Sequence, residues 1–191
     1  DFRGQVMTYE LYLPVYNGVK WLAVGTDASA SFRFVEGSQE RPIVVYGTSI
    51  AHGASASRPG LIWSTRLKRR YECPVVNLGF SGSGKMEHVM FDALAEIDAR
   101  AYIIDCVPNC AALTCQEFEE RLRYGIDRLR KASKAPIIFA ENQFIDHPSA
   151  LVHSAGYRGQ MEKDSVQQQV VKELQAKGVE GLYYVTRADL G

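Results

Sequence analysis

From Pro42 onward, short runs of apolar residues alternate with longer segments in which apolar residues recur every three or four positions. The short runs are rich in Val, Ile and Leu, which is typical of strands buried on both faces of a parallel sheet. They predict five strands, at residues 43–46, 74–78, 101–105, 136–140 and 182–185. Strands that alternate with helices indicate a three-layer, flavodoxin-like α/β sheet, which we assign to residues 39–191.

The segments between the strands have the apolar spacing of helices. One helix is predicted at residues 61–71, and Thr114 with Glu117 forms a capping box at the start of another. Gly178 suits the C-terminal end of the last helix. The apolar faces of the three later helices comprise Met86, Val89, Met90, Ala93, Leu94 and Ile97, then Phe118, Leu122, Ile126 and Leu129, and finally Val166, Val170, Val171 and Leu174.

The first 38 residues have a different pattern, with strand-like runs at residues 6–15, 20–24 and 31–35. Asn17-Gly18 joins the first two runs, and this dipeptide is the strongest short signal for a β-hairpin. An isolated hairpin is only marginally stable in water. We therefore expect residues 1–38 either to pack on the main domain or to be the C-terminal part of a β-sandwich that begins earlier.

The composition excludes some classes of partner. Basic and acidic residues number 22 each, so the chain lacks the positive charge that nucleic-acid binding requires. No run approaches the roughly 18 apolar residues of a membrane span. The cysteines do not have the spacing of a zinc site, so we expect ordinary thiols rather than a metal centre. They are Cys73, Cys106, Cys110 and Cys115.

Three predicted strands are followed by loops that carry the groups needed to attack a carbonyl carbon. Ser49 offers a hydroxyl, residues 77–84 offer glycines whose N–H groups can approach a ligand closely, and Asn109 offers an amide donor. Fixed donors stabilise the oxygen that becomes anionic during such an attack. The carboxyl ends of parallel strands lie at one edge of the sheet, so these loops should meet. Taken singly, each residue also suits a plain turn or loop cap.

In this order, the three loops resemble sequence blocks of the SGNH (GDSL-type) hydrolases. GTSIAHG resembles the first block, with Thr48 where the family usually has Asp. NLGFSGSG resembles the second and places the oxyanion glycine at Gly82, and DCVPN resembles the third and places its Asn at Asn109. The first block is similar to that of the GDSL-like lipase/acylhydrolase branch. That branch implies a secreted or periplasmic esterase, often with a preceding β-sandwich.

The fourth block of the family, an Asp-x-x-His after the last strand, does not occur in this sequence. The chain stops at residues 187–191, where that block should be approaching, so we expect a truncation before the catalytic pair. A surface or loop role is expected for each histidine present, and two of them lie in the long connection at residues 141–159. The histidines are His52, His88, His147 and His153.

The resemblance implies a serine esterase that acts on a small or carbohydrate O-acyl ester without a metal or organic cofactor. Ser49 would attack, and the N–H groups of Ser49 and Gly82 with the amide of Asn109 would hold the oxyanion. The same site could instead transfer the acyl group to an alcohol, or the protein could be an inactive carbohydrate-binding relative. A flavodoxin-type protein with residues 47–55 around a flavin phosphate is less favoured, because that loop lacks a dense cluster of hydroxyls. The sequence leaves the oligomeric state open.

Overall fold

The computed structural model describes residues 5–142 and 155–190, and its centre is a five-stranded parallel sheet with strand order β2-β1-β3-β4-β5. The strands are β1 (Ile43–Gly47), β2 (Val75–Gly79), β3 (Ala101–Asp105), β4 (Ile137–Ala140) and β5 (Leu182–Val185). All five predicted strands are confirmed to within one residue at each end. The flavodoxin-like α/β fold predicted from the sequence is therefore confirmed.

Helices connect the strands and cover the sheet. They are α1 (Ser49–His52), α2 (Trp63–Tyr71), α3 (His88–Leu94), α4 (Cys115–Ala132), α5 (Ala155–Ala176) and α6 (Arg187–Leu190). The step from β1 to β2 runs opposite to the later steps across the sheet, so right-handed crossovers place α2 on one face and α3, α4 and α5 on the other. Within the described residues, no helix is both long and apolar enough to cross a membrane.

The register of the sheet brings three strand ends to the same level. Gly47, at the end of β1, pairs with Gly79 of β2 on one side and with Asp105 of β3 on the other. The segments that follow these strands therefore start side by side at the carboxyl edge of the sheet. This is the edge at which α/β proteins of this topology bind ligands.

The apolar core lies between the sheet and the layer formed by α3, α4 and α5. The predicted inner face of α4 is buried, and it comprises Phe118, Leu122, Ile126 and Leu129. The capping box at its start is present, since the Glu117 N–H donates to Thr114 Oγ1 at 3.1 Å and the Thr114 N–H donates to Glu117 Oε2 at 2.8 Å. Burial of such apolar side chains stabilises the fold by about 1.5–3 kcal/mol each.

The structure differs from the predicted helices at two places. The segment after β1, predicted as a loop, forms the short helix α1. The last long helix begins at Ala155, inside the connection predicted to extend to about residue 159. Its buried face carries polar residues, so the apolar spacing that identifies a helix is missing there; they are Lys163, Asp164 and Gln167. His147 and His153 lie outside the described residues.

The predicted hairpin in the first 38 residues is wrong, because residues 5–41 contain no strand. Asn17-Gly18 is a local turn signal, and here neither flanking run pairs with another strand. Most apolar side chains of this segment are exposed, with Tyr9 and Trp21 both 81% exposed. The segment does pack on the main domain, as one alternative predicted. Glu10 pairs with Lys68, and the Tyr16 ring meets the His52 ring edge-on at 4.9 Å. Its assignment to a β-sandwich stays a prediction.

Replacing Gly125 in α4 by Ala is expected to destabilise the fold, although Ala is the better helix former. The change gains about 1 kcal/mol of helix propensity. A Cβ atom at Gly125 would lie 2.4–2.6 Å from ring atoms of Phe91, and overpacking of this kind costs about 1–3 kcal/mol. We expect a net loss of about 1 kcal/mol in the free energy of unfolding, measured by urea denaturation.

The matched control is the same Gly125→Ala change in a protein that already carries Phe91→Leu. Without the ring, the added methyl group has room and the propensity gain should dominate. The double-mutant cycle then gives an interaction energy between the two positions. Equal destabilisation in both backgrounds would show that the ring contact is not the cause.

Candidate active site

Ser49 is the first residue of α1, directly beyond the carboxyl end of β1. The preceding residue, Thr48, is fully buried and caps the helix, because its Oγ1 accepts a hydrogen bond from the Ile50 N–H at 3.2 Å. Gly53 ends the helix with φ of +100°. Ser49 itself is partly exposed. The serine is therefore accessible on a helix whose two ends are both fixed.

Three backbone and side-chain hydrogen bonds tie the loops after β1, β2 and β3 together. The Phe80 N–H donates to the Gly47 carbonyl at 2.9 Å, and the Thr48 N–H donates to the Asp105 carbonyl at 3.1 Å. Asn109 Nδ2 donates to the Phe80 carbonyl at 3.2 Å. Each loop is thus bonded to both of the others, and the structure brings together the three loops that carry the predicted site residues.

Gly82 lies in a tight turn that is closed by a hydrogen bond from the Ser83 N–H to the Phe80 carbonyl at 3.1 Å. Its φ of +69° is in the left-handed region that favours glycine. Within the described part of the chain, the N–H groups of Ser49 and Gly82 donate to no other group. Both donors are therefore available to a bound oxygen.

Asn109 ends a short 3₁₀ helix, Val107–Asn109, after β3. Its Nδ2 donates to the carbonyl groups of both Phe80 and Ser83. A primary amide has two N–H donors, so both hydrogens are occupied by the loop after β2. The predicted role of Asn109 as an oxyanion donor therefore requires one of these bonds to open when substrate binds.

The ionisable groups beneath the loops, Asp105, Cys106 and Cys110, all have raised pKa values. Burial raises the pKa of the Asp105 carboxyl to about 6. Burial also raises the pKa of the Cys110 thiol to about 12 and that of Cys106 well above its usual value. All four cysteines are free thiols, and Cys115 is the exposed one. The residues beneath the site are thus poorly solvated. Hydrogen bonds to a developing charge are stronger in such surroundings than in water.

Within the described residues, neither histidine hydrogen-bonds to Ser49. The His52 backbone lies against Gly79, its ring contacts Tyr16, and its Nδ1 is buried without a hydrogen-bond partner in the described residues. His88 stacks on Tyr124 with ring centroids 3.9 Å apart and lies 3.2 Å from Glu120.

The structure also contains a polar cluster at the ends of β4 and β5 that the sequence analysis did not identify. Asp164 is 3% exposed and accepts a hydrogen bond from the Asn142 N–H at 3.0 Å. Arg187 Nη2 lies 3.6 Å from Asp164 Oδ2, and its Nε donates to the Asn142 carbonyl at 3.1 Å. Burial raises the pKa of Asp164 to about 7. The only signal for this cluster in the sequence was an acidic residue in a polar segment.

Comparison with known sequences identifies the family. The GDSL-like Lipase/Acylhydrolase family matches residues 40–191 of the chain. The chain therefore belongs to this family. Among curated proteins, none matches the sequence.

Several solved structures share the fold. A Bacteroides ovatus ATCC 8483 protein described as a GDSL-like lipase is 35% identical with a TM-score of 0.79, and the match covers 92% of this chain and 51% of that chain. The present chain thus spans about half the length of that protein. The salicylyl-acyltransferase SsfX3 from a tetracycline biosynthetic pathway is 17% identical with a TM-score of 0.66, over 80% of this chain and 44% of that chain. A carbohydrate acetylesterase family member from Sinorhizobium meliloti is 12% identical with a TM-score of 0.54, over 77% and 83%. The last two show the fold alone.

Gly82→Ala and Gly84→Ala should differ in their effect on stability, although both residues have positive φ. A Cβ atom at Gly82 meets nothing within 4 Å, whereas one at Gly84 would lie 2.3 Å from the Gly47 carbonyl oxygen. Gly82→Ala should cost about 1–2 kcal/mol of unfolding free energy from the left-handed backbone, and Gly84→Ala about 3 kcal/mol or more, because a backbone clash is added. Chemical denaturation of both variants measures the difference, and equal losses would contradict the close approach of the loops.

Asp105→Asn should change the pH dependence of folding. The pKa of this carboxyl is about 4 in the unfolded protein and about 6 in the folded protein. The folded state therefore retains the proton over this interval, and wild-type stability falls from pH 4 to pH 6 by up to about 3 kcal/mol from this group. The stability of the variant relative to wild type should rise over that interval and then level off, as measured by denaturation at a series of pH values. A difference that does not change between pH 4 and pH 7 would contradict the assignment.

Proposed function

We propose that this member of the family is a serine esterase that removes an acyl group from an ester, with a carbohydrate O-acyl ester as the substrate class. One observation supports the proposal above the others. The partly exposed Ser49 and the two unbonded N–H groups, of Ser49 and Gly82, lie on loops that are directly hydrogen-bonded around Gly47. Acyl transfer requires a hydroxyl and fixed N–H donors that act on the same carbonyl group, and these loops carry both.

In the proposed reaction, Ser49 Oγ attacks the carbonyl carbon of the ester and loses its proton to a base. The electron pair of the C=O bond moves to the carbonyl oxygen, where the N–H groups of Ser49 and Gly82 stabilise the negative charge. Collapse of this intermediate expels the alcohol, which takes the proton back from the base. Water then attacks the acyl-serine in the same way and releases the carboxylic acid.

The base is proposed to be a histidine that follows Gly191, oriented by an Asp three residues before it. This assignment rests on the family resemblance and on the absence, within the described residues, of a hydrogen bond from His52 or His88 to Ser49. Without a base, a serine hydroxyl is a weak nucleophile. The 191-residue chain should therefore turn over esters on the order of 10⁴-fold more slowly than a protein with the complete triad.

The carbohydrate substrate class is supported by the resemblance to carbohydrate-linked esterases and by the name of the Sinorhizobium meliloti neighbour. Acyl transfer to an alcohol is the second candidate, since SsfX3 is described as an acyltransferase and shares the fold. The two differ in whether the acyl-serine meets water or an alcohol. Product analysis with p-nitrophenyl acetate in the presence of a free sugar separates them.

Fluorophosphonate labelling of a protein extended through its natural C-terminus is expected to modify Ser49 alone. Mass spectrometry of the digested protein locates the label. Ser49→Ala should remove both the label and at least about 10³-fold of p-nitrophenyl acetate turnover. Ser81→Ala and Ser83→Ala are matched controls on the neighbouring loop and should keep the label. A label on Ser81 or Ser83, with Ser49 unmodified, would overturn the assignment.

A second comparison locates the base. Turnover by the 191-residue chain is measured beside that of the extended protein and of the His147→Ala and His153→Ala variants. We expect low turnover in the short chain that neither substitution changes. Full turnover in the short chain, abolished by one of these substitutions, would instead place the base within the long connection after β4.

A further inference from the structure

We propose that Asn77, a residue of β2, is a positioning residue that fixes the nucleophile helix α1 and the glycine turn at residues 80–83 relative to each other. The inference rests on the proposed role of Ser49. Asn77 does not touch the proposed reacting atoms, and the sequence analysis gave it no role. Its amide is nevertheless the one side-chain group that hydrogen-bonds, within the described residues, to both α1 and the segment leading into the turn.

Helix α1 needs external support because it has only four residues. A single turn of helix is unstable by itself, since nucleation fixes several backbone dihedrals for very few hydrogen bonds. Thr48 supports the amino end. At the carboxyl end, the Ser49 carbonyl accepts from the Gly53 and Ala54 N–H groups at 3.1 and 2.9 Å. The carbonyl of Ala51 has to be satisfied by groups from elsewhere in the protein.

The Asn77 amide supplies that contact and joins three elements. Its Nδ2 donates to the Ala51 carbonyl at 3.0 Å and to Ser64 Oγ at 2.8 Å. Its Oδ1 accepts from the Gly79 N–H at 3.0 Å. These partners determine the orientation of the amide, because the Ala51 carbonyl requires a donor and the Gly79 N–H requires an acceptor. One side chain thus connects α1, α2 and the end of β2.

Trp63 is a second donor to the Ala51 carbonyl, but unlike Asn77 it does not also bond, in the described part of the chain, to the end of β2. Its indole N–H lies 3.0 Å from the Ala51 carbonyl oxygen and 3.3 Å from that of Ile50. Within the described residues it makes no hydrogen bond to β2 or to the glycine turn, whereas Asn77 bonds to Gly79, one residue before Phe80. Loss of Trp63 would therefore loosen α1 alone, and loss of Asn77 would change the position of Ser49 relative to Gly82.

Helix α1 and the end of β2 are in close contact, so a shift of one relative to the other would change the position of Ser49 relative to Gly82. A Cβ atom at Gly79 would lie 2.2 Å from the His52 backbone nitrogen, so the end of β2 lies directly against α1. Nucleophile and oxyanion donors must be held in a near-attack geometry, and a misplacement of about 1 Å can reduce the rate on the order of 10²-fold. Asn77 should therefore affect the chemical step more than substrate binding.

The test uses Asn77→Leu and Asn77→Asp in the extended protein, with Gln175→Leu as the matched control. Gln175 also donates an amide N–H to a backbone carbonyl, that of Leu182 at 2.9 Å, but at the amino end of β5. We expect Asn77→Leu to lower kcat and the fluorophosphonate labelling rate of Ser49 about 10²-fold with KM within about threefold. Asn77→Asp keeps the acceptor for Gly79 and loses the donor to Ala51, so its loss should be smaller but above tenfold.

Thermal unfolding of each variant shows that the assays are made on folded protein. Trp63→Phe serves as a further variant if Asn77→Leu does not fold, and it should lower kcat less than Asn77→Asp. Labelling and kcat of the Asn77→Asp variant within twofold of Gln175→Leu would overturn the inference. Retention of activity by Ser49→Ala would instead refute the proposed function, so the two failures are distinguishable.

Discussion

The candidate site depends on backbone segments that approach more closely than any side chain would permit. A Cβ atom at Gly47 would lie 2.3 Å from the Asp105 carbonyl oxygen, and one at Gly84 would lie 2.3 Å from that of Gly47. The parallel register aligns the strand ends, and glycine at these positions lets the following loops pack directly on one another. The geometry of the candidate site is therefore set by backbone hydrogen bonds, which hold their donors more rigidly than long side chains do.

Two acids at the carboxyl edge, Asp105 and Asp164, have raised pKa values. Burial is the largest cause of the shift in each. The two carboxyls are coupled, because the charge of Asp105 further raises the pKa of Asp164. Arg187 opposes this effect at Asp164 alone. The edge therefore gains negative charge in steps as pH rises, and an ionised carboxylate near the site would oppose a developing oxyanion.

The elements that the sequence could predict are those whose signal is local and repeated. The five apolar runs identified the strands, and the Thr114–Glu117 box identified the start of α4. Helix α1 was missed because four residues contain too little of the helical period to be distinguished from a loop. The hairpin at Asn17-Gly18 was predicted from a local turn signal, but a hairpin also needs strands that pair, and that depends on the rest of the fold.

Within the site, the sequence could identify the loops but not the state of each donor. Residue type and order suggested Ser49, Gly82 and Asn109 without distinguishing a free N–H from an occupied one. The difference arises from tertiary contacts: the turn at residues 80–83 directs its carbonyl groups at the amide of Asn109. The positioning role proposed for Asn77 could not be predicted for the same reason, since no sequence pattern specifies its partners in α1, α2 and β2.

The three proposed oxyanion donors differ in whether they already make a hydrogen bond within the protein. The N–H groups of Ser49 and Gly82 have no partner to give up within the described residues, so binding an oxygen there gains a hydrogen bond at no internal cost. Asn109 must first release a carbonyl, and because both of its hydrogen bonds are exposed, that carbonyl can bond to water instead, so the loss is that of an ordinary hydrogen bond, about 0.5–1.5 kcal/mol. A hydrogen bond to a charged acceptor contributes roughly 1.5–3 kcal/mol of net stabilisation. The exchange at Asn109 is therefore favourable for the oxyanion and close to neutral for the uncharged ester, so this amide would discriminate the transition state from the substrate.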